Sequence, residues 1–189
     1  MKRILESLLL GAVLSSWAAV GWCDDYSETV DLFKKAGESA GFFSHSYGYA
    51  VYPSIGKGGF VVGGAFGHGR VYDHGRYVGD SSVTQVSVGL QLGGQAYSQI
   101  VFFEDQRAFN DFTKGDFEFA ADASAVAITA AAGASAGTQG ASANASGGKN
   151  DAKTAGKYYK GMAVFTIVKG GAMYQATIAG QKFSYKPRS

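Results

Sequence analysis

The sequence predicts an α+β, mainly β fold, namely an antiparallel β-barrel or sandwich with an N-terminal helix and one short internal helix. The first observation is that 28 of the 189 residues are glycine, which suits tight turns, bulges and close backbone approach. The second is the aromatic content of 13 Phe and 11 Tyr, because aromatic residues favour strands. The third is a series of short segments that alternate between apolar and polar residues, separated by turn residues, as in sheets of short strands.

The beginning of the chain predicts an export signal. Lys2 and Arg3 precede an apolar segment at 8–20, which is shorter than the roughly 20 apolar residues that a membrane-spanning helix needs. A basic start, an apolar centre and small residues at the end are typical of a secretory signal peptide. We therefore assign 1–23 to a signal peptide and 24–189 to a single domain. The protein is expected to be exported, either periplasmic or secreted, with membrane association as an open alternative.

Two cleavage points fit the small residues at the end of this segment, one after Gly21 and one after Cys23. Cys23 is the only cysteine of the chain, which excludes an intrachain disulfide. A lipid-modified cysteine would need a small residue before it, and Trp22 is bulky. A lipoprotein is therefore not expected.

The charge of the chain is close to balanced, with a formal net charge of +2. Removing Lys2, Arg3 and Glu6 with the signal peptide leaves 15 basic and 14 acidic residues. Proteins that bind nucleic acid usually show a clustered basic face, so this class of function is excluded. A membrane-binding site would have to be a local group of cations.

The first predicted element is a helix at 24–38. Acidic residues near its start and basic residues near its end complement the helix dipole. Apolar side chains fall on one face at helical spacing. The acidic residues are Asp24, Asp25 and Glu28, and the basic residues are Lys34 and Lys35. The apolar residues are Tyr26, Val30 and Phe33. Two interpretations stay open: the helix packs on the sheet, or it is an amphipathic helix that contacts a membrane.

Strand patterns begin after this helix. In the segment 83–92, Val86 and Val88 share one face with Leu90 and Leu92, and polar residues lie opposite. Asp73-His74-Gly75 is typical of a hairpin turn. The predicted strands are 47–52, ended by Pro53; 60–62, extending towards Gly67; the hairpin 69–72 with 76–78; 83–92; and 96–103.

The rest of the chain mixes one helix with further strands. Asp105 is a typical N-cap for a short helix at 105–114. A strand beginning at Phe117 leads into an alanine-rich segment, of which 122–132 is alternatively helical. A flexible low-complexity loop is predicted at about 133–156, because Gly, Ala, Ser and Asn cannot bury enough surface to order it. A final hairpin of 158–168 with 173–178 and a last strand at 181–185 complete the prediction.

Several of these segments together resemble the SYLF domain. They follow one another in the order and spacing of that family, and the likeness covers nearly all of the chain after the signal peptide. The segments are Gly48 to Pro53 (GYAVYP), Lys57 to Phe60 (KGGF) with Gly63-Gly64, Ser87 to Gly93 (SVGLQLG), Phe117 to Ala127 (FEFAADASAVA) and Tyr159 to Phe165 (YKGMAVF).

This resemblance implies a non-enzymatic lipid-binding protein of the bacterial envelope, similar to the exported bacterial members of the family. It implies anionic, phosphoinositide-like lipid head groups as the partner, and no cofactor or metal. An actin partner is not expected outside the bacterial cytoplasm. The candidate lipid-binding residues are the cations Lys34, Lys35, Lys57, Arg70 and Arg76. The alternative is a structural or protein-interaction module of the envelope that binds no lipid.

Three motifs suggest other chemistry. Gly37-Glu38-Ser39-Ala40-Gly41 matches the nucleophile pattern of esterases, but it follows a helix and precedes strands, the reverse of the order that this mechanism needs. An esterase using Ser39 is therefore a remote alternative. The histidines 45, 68 and 74 match no metal-binding signature. The glycine-rich segment 56–69 lacks the Gly-Lys-Ser/Thr of a phosphate loop, although glycine turns there could form an anion-binding nest.

Overall fold

The computed structural model describes residues 24–59, 62–88, 95–119, 125–128, 157–169, 178 and 180–189. The proposed signal peptide and the low-complexity segment at 133–156 lie outside these residues. The helices are α1 (Asp25–Lys35), α2 (Gly37–Ala40), α3 (Phe42–His45) and α4 (Gln106–Thr113). The strands are β1 (Gly48–Gly59), β2 (Val62–Asp73), β3 (Arg76–Val88), β4 (Gln95–Phe103), β5 (Phe117–Glu118), β6 (Val126–Ile128), β7 (Met162–Lys169) and β8 (Gln181–Pro187).

The strands form one sheet in the order β5-β8-β3-β2-β1-β4-β7-β6. Every neighbouring pair is antiparallel except β6 and β7. The sheet is curled. The side chains of Gln99 on β4 and Gln181 on β8 are hydrogen-bonded although three strands lie between β4 and β8, which is possible only if the two sides of the sheet approach each other. The predicted fold class is confirmed: a mainly β, antiparallel sheet curled into a half-barrel, with an N-terminal helix and a short internal helix.

The inner face of the half-barrel holds the larger of two apolar clusters. Tyr52, Val101 and Phe183 point inward from β1, β4 and β8. α4 packs against this cluster through the buried ring of Phe112, which lies between Phe103 and Phe183. The short helix therefore closes one end of the interior.

The second cluster lies on the outer face, under the N-terminal helices. Val51, Ile100 and Phe165 point outward from β1, β4 and β7. Val30 and Phe33 of α1 pack on them. The predicted helix packing is thus correct, and this half of the outer face is covered.

The predicted helix at 24–38 is confirmed in its first part. Asp24 is the N-cap of α1, and its carboxylate accepts a hydrogen bond from the Tyr26 amide. The helix ends at Lys35, because Ala36 is extended, and two single-turn helices follow. Among the described residues, none of the helices combines the length and apolar content needed to cross a bilayer.

The prediction that Pro53 ends the first strand is wrong. β1 continues to Gly59, with a shift of register between Val51 and Ser54. Proline has no N–H to donate, so a sheet accommodates it at such a bulge. The Pro53 carbonyl accepts a hydrogen bond from Ser98 Oγ at 2.7 Å, which keeps the bulge attached to β4.

The predicted β2–β3 hairpin is confirmed. His74 and Gly75 form its turn with φ of 47° and 81°, and two positive φ values match the twist of the flanking strands. β3 runs without a break from Arg76 to Val88, where the sequence pattern predicted two shorter pieces.

The C-terminal half follows the prediction less closely. α4 begins after Asp105, whose carboxylate accepts a hydrogen bond from the Ala108 amide at 2.8 Å, as predicted. Val126–Ile128 is a strand, so the helical alternative is wrong there. Of the predicted hairpin of 158–168 with 173–178, residues 170–177 lie outside the described residues. Its first strand is β7, which pairs with β4 on one side and β6 on the other. β8 confirms the last strand and pairs with β3 and β5.

Candidate functional site

Two of the five candidate cations lie at the end of α1. Lys34 and Lys35 are both exposed in its last turn. The Lys34 ammonium lies 3.8 Å from the Asp31 carboxylate and 5.7 Å from the centre of the Phe43 ring. Lys35 makes no ion pair with the described residues and is the freer of the two to meet an anion.

Arg70 has an internal role. Its guanidinium points outward from β2 and forms a salt bridge with the Asp24 carboxylate, at the N-terminus of α1. It also lies over the ring of Tyr26, at 4.1 Å from the centre, and over that of Tyr77, at 5.1 Å. These contacts attach the start of α1 to the sheet, so Arg70 is engaged within the chain.

Lys57 and Arg76 lie at opposite ends of the sheet. Arg76 pairs with Asp73 at the β2–β3 turn, and Asp73 pairs with Gly48 at the start of β1. Lys57 lies nine residues further along β1, which at the rise of a strand is about 30 Å. Its register partner is the buried Ala65, so Lys57 is on the inner face. The structure therefore does not bring the five cations together, and their role in lipid binding stays a prediction.

A different surface carries exposed apolar side chains. We call it the bare sheet face, at the outer side of β1, β2, β3 and β8 beyond the helices. Where the structure describes the side chains, its apolar members are Phe66, 51% exposed, and Val86, 77% exposed. Its other outward residues include Gly56, Gly64, His68, Thr84, Lys182 and Lys186, all exposed.

Sequence reasoning did not select this surface. The alternation in β3 was detected, but Val86 points outward while its neighbour Gln85 is buried, the reverse of what hydrophobicity suggests. A usable signal exists in β2, where every second residue is small (Ala65, Gly67 and Gly69) because these residues line a concave face. The large residue between two small ones, Phe66, must then point outward.

The inner face is not entirely apolar. Gln99 and Gln181 exchange two amide hydrogen bonds, of 2.9 and 3.2 Å, and Gln181 Nε2 also donates to the Tyr97 hydroxyl at 3.0 Å. Gln85 is the register partner of Gln181 and is buried as well. The hydroxyl of Thr166, opposite Gln99, is buried without a hydrogen-bond partner among the described residues.

Burial of this interior affects its tyrosines. Desolvation raises the pKa of Tyr97 to about 12, and the hydrogen bond from Gln181 opposes the rise. Desolvation also raises the pKa of Tyr52, whose hydroxyl lies 2.7 Å from Ser81 Oγ. Ser81 donates its own proton to the Ser184 carbonyl, so Tyr52 is the donor to Ser81. These side chains are neutral, and their bonds serve the packing of the half-barrel.

Ser39 is fully buried, which bears on the esterase alternative. Its hydroxyl donates to the Phe33 carbonyl at 2.6 Å and so ties α2 to the end of α1. A nucleophilic serine must reach substrate and lie beside a base, and this hydroxyl faces a carbonyl inside the helical cap. The structure thus gives Ser39 a packing role.

The other motifs belong to the sheet. His74 lies in the β2–β3 turn with its Nδ1 at 2.5 Å from the Asp73 carboxylate, whereas His68 is on the bare sheet face beside Phe66. Over the described ranges, no three or more His, Cys, Asp or Glu side chains are grouped as metal ligands. The described part of the glycine-rich segment 56–69 forms the paired strands β1 and β2 rather than a loop.

Comparison with known proteins connects this chain to one family. A family model described as "Ysc84: Las17-binding protein actin regulator" matches residues 84–186, more than half of the chain. The chain is also 27% identical over 157 residues to a protein of Aeromonas veronii called "Beta cell expansion factor A". That match covers 82% of this chain and 51% of the relative, so the chain spans about half the length of the curated relative it matches.

Proposed function

The chain belongs to the Ysc84 (SYLF) family of binding domains, and on that basis we propose that it is a non-enzymatic protein that binds anionic lipids in the bacterial envelope. The resemblance on which the lipid partner was predicted is confirmed at the level of the family. The envelope location rests on the signal peptide predicted at 1–23, and the curated relative is a bacterial protein.

The observation that carries this proposal is the combination of exposed apolar and cationic side chains on one surface, the bare sheet face. Phe66 and Val86 of the bare sheet face are exposed, and Lys182 lies beside Val86. Apolar anchors beside cations suit an anionic bilayer surface, which offers a hydrophobic interior below negative head groups. Single apolar residues are common on protein surfaces, whereas contiguous exposed apolar patches are typical of interaction sites.

Co-sedimentation with vesicles tests the proposal. We expect the purified protein to pellet with phosphatidylglycerol vesicles and to remain in solution with phosphatidylcholine vesicles. Binding should weaken at an ionic strength of about 1 M, where the Debye length is roughly 3 Å. Equal recovery with both vesicle types, insensitive to salt, would contradict the electrostatic model. A reproducible protein partner in a pull-down, with no vesicle binding, would favour the alternative of an envelope interaction module.

A further inference from the structure

Phe66 and Val86 form one apolar pair on the outer surface. In the β2–β3 register Phe66 pairs with Thr84 and Gly64 pairs with Val86, so the two apolar residues are diagonal neighbours on the same side of the sheet. Side chains in this relation lie about 7–8 Å apart and are within reach of each other. An outward sheet face in water is normally polar, so two adjacent apolar side chains at 51% and 77% exposure indicate a contact surface.

The glycines around this pair are not required by the fold. A Cβ at Gly56, the register partner of Phe66, would meet nothing within 4 Å. A Cβ at Gly64, the partner of Val86, would meet only the Gln85 carbonyl oxygen at an ordinary 3.6 Å. Internal packing therefore does not explain these glycines. Their effect is on the outside, since Gly56 places no side chain opposite Phe66 and Gly64 places none opposite Val86.

The charges beside the pair favour an anionic partner. Lys182 is the register partner of Thr84, so it is a diagonal neighbour of Val86 on the outer face, and Thr84 separates it from Phe66. Its ammonium is 3.5 Å from Glu118. Lys186 follows on the same side of β8, opposite Asp80, whose carboxylate accepts a hydrogen bond from the Tyr77 hydroxyl. None of the described residues forms an ion pair with Lys186. Arg188, exposed, comes after β8 and lies over the Tyr77 ring.

The exposed apolar residue of α1 has the opposite surroundings. Leu32, at 50% exposure, follows Asp31 and lies one turn after Glu28. The helix with its cap contains more acidic than basic residues, namely Asp24, Asp25, Glu28 and Asp31 against Lys34 and Lys35. An anionic bilayer would be repelled by this helix and attracted by β8.

We propose that the bare sheet face, not the N-terminal helix, is the surface that docks on an anionic membrane. Phe66 and Val86 enter the head-group region, and Lys182 and Lys186 contact the negative head groups. This inference rests on the proposed lipid binding and adds to it the face, the anchors and the orientation of the domain. In this orientation the bilayer contacts the uncovered half of the outer face, while the N-terminal helices cover the other half.

Vesicle binding by two matched sets of variants tests the inference. The double variant Phe66→Ser/Val86→Ser removes the anchors, and Leu32→Ser removes a comparably exposed apolar side chain from the helix. We expect the double variant to bind phosphatidylglycerol vesicles roughly tenfold more weakly or worse, since two apolar anchors are lost, and Leu32→Ser to bind like wild type. Loss of binding in Leu32→Ser alone, or no loss in the double variant, would overturn the inference and leave the proposed lipid binding intact.

Gly64→Thr provides a second variant that does not depend on removing side chains. It adds a side chain between the anchors at a position where the structure has room, and threonine favours strands. We expect weaker vesicle binding with an unchanged or higher melting temperature. If wild type binds no anionic vesicle, lipid binding itself fails. If wild type is a dimer that the double variant converts to a monomer, the face serves a second copy of the chain and the membrane inference is wrong.

Discussion

Gln99 and Gln181 face each other across the interior of the half-barrel and exchange two amide hydrogen bonds, at 2.9 and 3.2 Å. Their strands, β4 and β8, are not neighbours, because β1, β2 and β3 lie between them in the sheet. Both side chains are fully buried. The pair therefore links the two sides of the curl directly, in a region where backbone hydrogen bonds run only between adjacent strands.

Replacing one member of this pair should destabilise the fold. Gln181→Leu leaves the buried amide of Gln99 and the hydroxyl of Tyr97 without their partner. A buried polar group that loses its hydrogen bond costs about 1–3 kcal/mol, so we expect the free energy of unfolding to fall by about 2–4 kcal/mol. Urea denaturation followed by circular dichroism measures this change.

The double variant Gln99→Leu/Gln181→Leu is the control. Replacing both partners by apolar side chains removes the unpaired amide, so the double variant should lose less stability than the sum of the two single variants. If the loss of unfolding free energy in the double variant equals the sum of the losses in the two single variants, the two glutamines do not interact in solution and the link across the curl is wrong.

The buried tyrosines make stability depend on alkaline pH. The pKa of Tyr97 is raised by burial from 10.0 to about 12, so the folded state holds its proton more tightly than the unfolded state does. The stability that the folded state gains from this raised pKa is complete below pH 10 and is lost as the pH rises towards 12. In that range one such tyrosine lowers the free energy of unfolding by about 1.4 kcal/mol per pH unit. Tyr97→Phe should therefore reduce the alkaline slope by one proton, and an unchanged slope would contradict the assignment.

Arg70 should control the attachment of α1 rather than binding of a ligand. Arg70→Ala removes the salt bridge to Asp24 and the contact with the Tyr26 ring. Because the pair is partly exposed, we expect a loss of only about 0.5–1.5 kcal/mol, concentrated in α1. Hydrogen exchange should show faster exchange of the α1 amides with little change in β2. Arg76→Ala, at the exposed hairpin, should leave exchange in α1 as in wild type.

Much of the fold could be predicted from local signals. The cap at Asp105 and the turn at His74-Gly75 each use only neighbouring residues, and both predictions are confirmed. Pro53 was misjudged because a bulge depends on how β1 meets two other strands. The pairing of β7 with β4 and β6 connects segments far apart in sequence, and alternation within one segment does not reveal its partner.

The surface was harder to predict than the fold. Net charge and the position of cations along the chain cannot tell that Lys57 points inward while Arg70 is held by Asp24. Alternation in β3 shows two faces without saying which is inside, and here the half-barrel buries Gln85 and exposes Val86. Hydrophobicity alone therefore assigns these two residues to the wrong sides.

The glycine-rich composition has two different causes, which a pair of alanine substitutions should separate. Gly69 lies on the inner face, where a Cβ would be 2.5 Å from Cδ1 of Tyr52 and 2.8 Å from the Val51 carbonyl oxygen. Gly69→Ala must therefore displace the Tyr52 ring or the strand. We expect the free energy of unfolding to fall by about 1–3 kcal/mol, as for other overpacked cores.

Gly56→Ala is the matched substitution on the outer face, where a Cβ would meet no atom within 4 Å. It should be neutral or stabilising by roughly 0.5 kcal/mol, since alanine loses less backbone entropy than glycine on folding. Thermal unfolding of the two variants measures the contrast. If Gly69→Ala were as stable as Gly56→Ala, the close approach of Tyr52 to β2 would not exist in solution. The difference between a crowded glycine on the inner face and an uncrowded one on the outer face would then not explain why this chain holds so many glycines within its strands.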